Sequence, residues 1–228
     1  MKYEVILFDA DETLFDFEKS EKHALKNTMI DFNIDYNENY HLSIYKTINS
    51  AIWKELENGL IEQKDLNVER FRRLSKALEE KFDGNEFAKH YAQHLSEASF
   101  LFESSTNLIE SLHEASYRLA IVTNGLKDVQ HNRVRKSVIG KFFETVVISE
   151  EIEISKPNPE IFQYALNTLK CINKKKVLMV GDSLSSDIQG GINFGIDTCW
   201  YNPKKLSNKT NLNPTYEISD LMKLRQIV

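Results

Sequence analysis

Val5-Ile6-Leu7-Phe8-Asp9-Ala10-Asp11-Glu12-Thr13-Leu14 passes abruptly from apolar to acidic residues. Its first four residues are apolar without alternation, the pattern of a strand covered on both faces of a parallel sheet. The run then breaks into two acids one residue apart, and a threonine follows. Extended backbone puts every second side chain on one side, so Asp9 and Asp11 share a side if the strand continues. Carboxylates at the end of a buried strand are costly unless something binds them. In open α/β sheets that end of the strand is where ligands sit.

From about Glu18 to Phe100 the chain has no proline and no strand pattern. Apolar residues recur there at helical spacing: Ala24, Leu25, Thr28 and Met29; Ile44, Ile48, Ile52 and Leu56; Phe71, Leu74 and Leu78; Phe87, Tyr91 and Leu95. Asn58-Gly59 and Asp83-Gly84 read as helix stops. The expectation is an all-helical insertion of about four helices. Beyond it, strand and helix alternate. Leu119–Val122, Thr145–Ile148, Val177–Val180 and Thr198–Tyr201 read as strands, and 216–218 as a short edge strand before a terminal helix. A helix is expected over 107–115, another opens at Asn158-Pro159 with asparagine as N-cap, and one over 187–194 stops at Gly195. This order predicts an α/β fold: a doubly wound parallel sheet with a helical domain inserted after its first strand. The sheet domain takes residues 1–16 and 101–228, and the insertion takes 17–100.

Composition sets outer limits. Hydrophobic residues are 41% and charged residues 28% of the 228, as in a globular protein. The net charge of −5 disfavours a nucleic-acid polymer or an acidic membrane as main partner but leaves small phosphates open. The two cysteines, Cys171 and Cys199, form no CxxC pair and read as buried thiols. Met1-Lys2-Tyr3-Glu4 opens no signal-peptide pattern, and no apolar run reaches membrane-spanning length, so a cytoplasmic protein is expected. A P-loop and a GxGxxG fingerprint are both absent from the sequence.

Three expected strands end in polar residues. The first gives Asp9 and Asp11, the second Thr123, Asn124 and Gly125, and the fourth Asp182 and, after a turn, Asp187. Ser155-Lys156-Pro157 lies between the last two. Taken singly, each has an ordinary use: a turn, a solvated lysine, a helix cap. Together, in this order, a parallel sheet brings them to one edge. Asp9 and Asp182 can offer carboxylate oxygens to Mg²⁺, a hard cation. Thr123 can donate to a phosphate oxygen, Lys156 adds positive charge, and the amides of Asn124 and Gly125 are read as opening a helix. That set suits a phosphoryl group.

DxDxT, a strand ending in T-N-G, K-P and GDxxxxD resemble the four motifs of the haloacid dehalogenase superfamily, spanning Asp9 to Asp187. The inserted helices resemble its C1 cap. Asp9 to Phe15, Trp53 with Asn58-Gly59, Ile148 to Glu151, Lys156 to Pro159 and Gly190 to Asn193 are similar to the bacterial 5′-nucleotidase branch, which dephosphorylates pyrimidine and noncanonical nucleoside monophosphates. The resemblance implies a Mg²⁺-dependent phosphomonoesterase. Asp9 is then the nucleophile and Asp11 the general acid and base. Asp9, the Asp11 carbonyl and Asp182 hold the metal, with Asp187 assisting, while Thr123 and Lys156 bind the phosphoryl group. The implied partner is a small phosphorylated metabolite, with a nucleoside monophosphate as first expectation, and a monomer or weak homodimer is expected. The alternatives are a sugar-phosphate phosphatase, a phosphomutase and a non-catalytic binding module. Two departures stand out: 100–105 lacks the Pro-Gly turn common in the family, and Glu153 stands where relatives often carry a small residue.

Phe15, Phe17, Tyr45, Ile52 and Trp53 are candidates for contact with the substrate's base, against the plainer expectation of packing between helices. His90 and His94 share a helix face, with no third metal ligand expected nearby, so a solvated face is anticipated. His131, Arg133 and Arg135 read as surface residues.

Overall fold

A computed structural model describes residues 2–228. In chain order the elements begin with β1 (Val5–Phe8), then α1 (Phe17–Asp31), α2 (Ser43–Glu57), α3 (Gln63–Leu78) and α4 (Gly84–Glu97), with a π-type turn at Glu38–Leu42. There follow α5 (Glu103–Glu114), β2 (Arg118–Thr123), α6 (Lys127–Lys136), β3 (Thr145–Ile148), α7 (Ser149–Ile152) and α8 (Pro159–Thr168). The chain closes with β4 (Val177–Gly181), a π-type turn at Leu184–Ile188, α9 (Gln189–Phe194), β5 (Asp197–Tyr201), β6 (Tyr216–Ile218) and a 3-10 helix at Leu221–Gln226. It divides into two compact units: Met1–Phe17 with Ser99–Val228, and Glu18–Ala98.

The first unit holds a six-stranded sheet in the order β3-β2-β1-β4-β5-β6, and every pairing is parallel. Alternation along each strand feeds two cores. Ile6 and Phe8 of β1 pack with Leu119, Ile121, Leu178 and Val180 against Leu108, Ile109 and Leu112 of α5 and Leu221 and Leu224 of the last helix. Val5 and Leu7 pack with Ala120, Val122 and Met179 against Ile161, Phe162 and Ala165 of α8 and Phe194 of α9. Burial on both faces is why these strands read as unbroken apolar runs. As expected, Asn158 caps α8, its Oδ1 accepting from the Glu160 amide at 2.9 Å. Gly195 ends α9 at φ 82, a left-handed conformation that glycine adopts without strain.

The second unit is helical throughout its regular elements, and its details correct three expectations. Asp83-Gly84 begins a helix instead of ending one: Asp83 Oδ1 accepts from the Asn85 and Glu86 amides at 2.7 and 3.0 Å, capping α4. The buried stripe of α2 is Tyr45, Asn49 and Ile52, while Ile44 and Ile48 are half-buried. A polar residue marks the stripe because it bridges charges. Asn49 donates to Glu21 Oε1 at 2.9 Å and accepts from buried Arg70 at 3.1 Å. Arg70 also donates to the Tyr45 hydroxyl at 3.2 Å and lies over the Phe71 and Tyr91 rings at 4.8 and 4.9 Å. Tyr45 and Ile52 are therefore core residues of this unit. Finally, a third group does stand beside the histidine pair. Asp31 Oδ2 meets His90 Nδ1 at 2.8 Å and His94 Nε2 at 2.7 Å. Those hydrogen bonds hold the Asp31 carboxyl below its usual range.

Burial pushes the Glu21 carboxyl up to about 7, against the pull of Lys46 and Arg70. The folded chain thus holds the Glu21 proton more tightly than the unfolded chain, where the ordinary value is 4.5. The stability this proton contributes is present below about pH 4.5 and is lost as pH rises through about 7. Glu21→Gln, which cannot ionise, is expected to remove most of that loss. In urea melts at about pH 5 and about pH 8, the variant should gain about 2–3 kcal/mol relative to wild type at the higher pH. Parallel curves for the two proteins would contradict this reading.

Candidate active site

The parallel sheet brings the ends of β1, β2 and β4 to one edge. Asp9 continues the ladder, its amide donating to the Val180 carbonyl at 2.9 Å, and its side chain stands at that edge. Lys156, from the segment between α7 and α8, reaches under it. Its Nζ donates to Asp9 Oδ1 at 2.6 Å, to Asp187 Oδ1 at 2.7 Å and to the Val122 carbonyl at 2.6 Å. All three ammonium hydrogens are thereby used. Burial disfavours the charge on Lys156, but Asp187 and Asp9 outweigh it and hold the ammonium above its usual range. The Asn124 side chain fixes the lysine's backbone from β2: its amide donates to the Lys156 carbonyl at 2.8 Å and its oxygen accepts from the Lys156 amide at 2.8 Å.

Asp9, Asp182 and Asp187 each present an oxygen within 4.8 Å of the others. Asp187 is spoken for, with Oδ1 on Lys156 and Oδ2 accepting from the Ser183 amide at 3.0 Å. Among the described residues no donor reaches the Asp182 carboxylate. Burial, then the neighbouring Asp187 and Asp9 charges, push the Asp182 carboxyl up to about 8. Burial likewise pushes Asp9 up to about 7, partly offset by Lys156. Three clustered carboxylates against one ammonium leave negative charge that an oxygen-seeking dication would neutralise. An all-oxygen donor set of this kind fits Mg²⁺.

Asp11 has different partners. The extended run ends at Phe8, and a turn follows in which the Leu14 and Phe15 amides both donate to the Ala10 carbonyl at 3.0 and 2.9 Å. The Asp11 carboxylate meets α6: Oδ1 accepts from Arg133 Nη1 at 2.6 Å and Oδ2 from Gln130 Nε2 at 2.7 Å. Arg133 is fully buried, which corrects its reading as a surface residue; Arg135 is exposed and His131 half-buried. Gln130 is not named by the sequence reading, and Arg133 is named there only as a surface residue. The signal was their position on the same helix face as Val129 and Val134, the buried face of α6.

Thr123 is buried, its Oγ1 accepting from the Gly125 amide at 3.1 Å. The reading that Asn124 and Gly125 open a helix is corrected: α6 begins at Lys127, whose amide donates to Glu150 Oε2 at 2.6 Å. Gly125 has another use. A Cβ there would lie 2.2 Å from Gln130 Nε2, so its missing side chain makes room for the amide that reaches Asp11.

The model of the haloacid dehalogenase-like hydrolase family matches residues 6–201, which include the whole of this strand-end cluster. The chain belongs to that family. Its relatives include the pyrimidine 5′-nucleotidase PynA of Streptococcus pneumoniae, 37% identical over 96% of this chain and 92% of PynA. The pyrimidine 5′-nucleotidase YjjG of Escherichia coli is 31% identical over 100% of this chain and 99% of YjjG. The HAD-hydrolase YfnB of Bacillus subtilis, solved bound to magnesium, superposes with a TM-score of 0.94 at 35% identity, covering 100% of this chain and 99% of that one.

In this haloacid dehalogenase-like site Gly181 is a steric requirement. A Cβ there would lie 2.2 Å from Asp187 Oδ2 and 2.7 Å from its Cβ, so Gly181→Ala must displace the whole Asp187 side chain. The expected cost is about 1–3 kcal/mol in a denaturant melt, the usual range for overpacking a filled site. An unchanged melt would show that Asp187 has room to move.

Proposed function

We propose that the protein is a Mg²⁺-dependent phosphomonoesterase that hydrolyses nucleoside 5′-monophosphates, pyrimidine nucleotides foremost, through an aspartyl-phosphate on Asp9. The observation that carries the chemistry is the pairing at the sheet edge of a buried carboxylate, Asp9, with Lys156, two further acids and a separately held acid, Asp11. The nucleotide reading is supported by the names of PynA and YjjG, which align with nearly the whole chain. The magnesium reading is supported by the oxygen donor set and by the magnesium-bound relative YfnB.

In this reading an Asp9 oxygen attacks phosphorus and forms a carboxyl–phosphate bond as the bond to the nucleoside oxygen breaks. Asp11 gives that oxygen its proton. It then takes a proton from the water that attacks the phosphorus, releasing inorganic phosphate and restoring Asp9. Lys156 and Thr123 offset and orient charge on the transferring group, where most catalysis of this reaction arises. Asp9, Asp182 and the Asp11 carbonyl would hold Mg²⁺, with Asp187 behind them, and the bound ion would supply positive charge to the phosphoryl oxygens. Asp187, locked by Lys156 and Ser183, positions the lysine. A second acid beside the nucleophile favours a phosphoryl over a halide substrate, since a halide leaves without a proton. To the helical unit Glu18–Ala98 we assign the role of a C1-type cap that selects the substrate.

The test is phosphate release over a panel of nucleoside monophosphates and sugar phosphates, with Mg²⁺ and with chelator. Release is expected from pyrimidine nucleoside monophosphates and is expected to vanish with chelator. Asp9→Asn should lose roughly a thousandfold or more, and Asp11→Asn about a hundredfold with substrate still bound. No Mg²⁺-dependent release from any substrate would overturn the enzymatic reading. Release confined to sugar phosphates would move the substrate class alone.

A further inference from the structure

Arg133 is the largest fully buried side chain of the protein, and only part of its guanidinium is hydrogen-bonded. Nη1 is on Asp11, while Nε and Nη2 have no hydrogen-bond partner among the described residues. The guanidinium lies over the Phe15 ring at 5.0 Å and the Phe17 ring at 5.8 Å, which offsets some of its desolvation. Its ion-pair partner is Asp11, at 2.6 Å, whose own side chain is 25% exposed. A buried cation with a single anionic partner holds that partner firmly, because separation leaves the charge uncompensated. Gln130 engages the other Asp11 oxygen from one turn earlier on the same helix, over the surface that Gly125 leaves open. The Arg133 carbonyl also accepts from Ser99 Oγ at 2.8 Å. One residue of α6 thus ties Asp11 to Phe15 and Phe17, where the chain leaves the sheet unit, and to Ser99, where it returns.

We infer that Arg133 and Gln130 are positioning residues for Asp11, clamping the carboxylate so that it meets the oxygen of the departing group. The inference rests on the phosphatase reading above. The two donors use two of the roughly four acceptor directions of a carboxylate, leaving the others for the proton in transit. Neither residue touches the phosphoryl group in this assignment; both act through Asp11. Orientation of a catalytic group is worth much rate, since misplacement by about 1 Å can cost on the order of a hundredfold.

A leaving group that needs a proton depends on Asp11, and one that leaves readily as an anion depends on it less. The experiment therefore compares uridine 5′-monophosphate with p-nitrophenyl phosphate in wild type, Arg133→Met and Gln130→Met, with Mg²⁺ present. The quantity read is kcat/KM, which reports the steps through departure of the leaving group. The loss on the nucleotide is expected to be about 10- to 100-fold, and at least about tenfold greater than the loss on the aryl phosphate. Gln130→Met introduces no unpaired charge and keeps the test usable if Arg133→Met folds poorly, as near-UV circular dichroism would reveal. Equal losses on the two substrates in Gln130→Met, or no loss at all, would overturn the positioning role while leaving the phosphatase reading intact. A wild type that hydrolyses neither substrate would remove the phosphatase reading and this inference with it.

Discussion

The ammonium of Lys156 is the constraint on which the site depends. Burying such a charge costs several kcal/mol unless it is fully partnered, and here each hydrogen has an acceptor: Asp9, Asp187 and the Val122 carbonyl. Those acceptors come from the end of β1, the turn after β4 and the end of β2, so one lysine fastens three segments far apart in sequence. The surrounding sequence serves that fastening. Asn124 grips the lysine's backbone on both sides, and Gly181, lacking a side chain, leaves room for that of Asp187. Removing one partner of such a cluster typically costs about 3–5 kcal/mol, because the others are left as buried, unpaired charge. The same charge lies beside Asp9, where the phosphoryl group of the proposed reaction would bring more negative charge.

The two acids of the opening motif differ because their surroundings differ. Asp9 is buried among acids and held by Lys156, with one oxygen outside that hydrogen bond. Asp11 lies past the strand end, partly exposed, with its oxygens on Arg133 and Gln130. In the proposed reaction the first attacks phosphorus and the second handles the proton. The turn that carries Asp11 away from the strand is closed by the Leu14 and Phe15 amides on the Ala10 carbonyl, with Glu12 in a left-handed conformation at φ 59.

Most of the sheet was legible in the sequence because both its faces are covered, which leaves apolar runs that end abruptly in polar residues. The strand-end groups were legible for the same reason: a parallel sheet brings its carboxyl ends to one edge whatever lies between them in sequence. Three features were not. Asp83-Gly84 has turn composition, but a carboxylate beside free amides caps a helix start equally well. Periodicity chose Ile44 and Ile48 for the buried stripe of α2, while Asn49 occupies that stripe because it bridges Glu21 and Arg70. Arg133 follows the common expectation for arginine until its partner is known, and that partner lies 122 residues away. Glu153 sits at φ 55, a left-handed conformation that glycine adopts with less strain.

Covalent phosphorylation of Asp9 during turnover is the step on which the proposed function rests. Its most direct test is to quench the wild-type protein in acid during hydrolysis of a phosphate-labelled pyrimidine nucleoside monophosphate with Mg²⁺, then locate the label by peptide mapping. Label on Asp9 that is labile to base, and its absence from Asp9→Asn, is the predicted result. Turnover without any protein-bound label, or label persisting in Asp9→Asn, would contradict it.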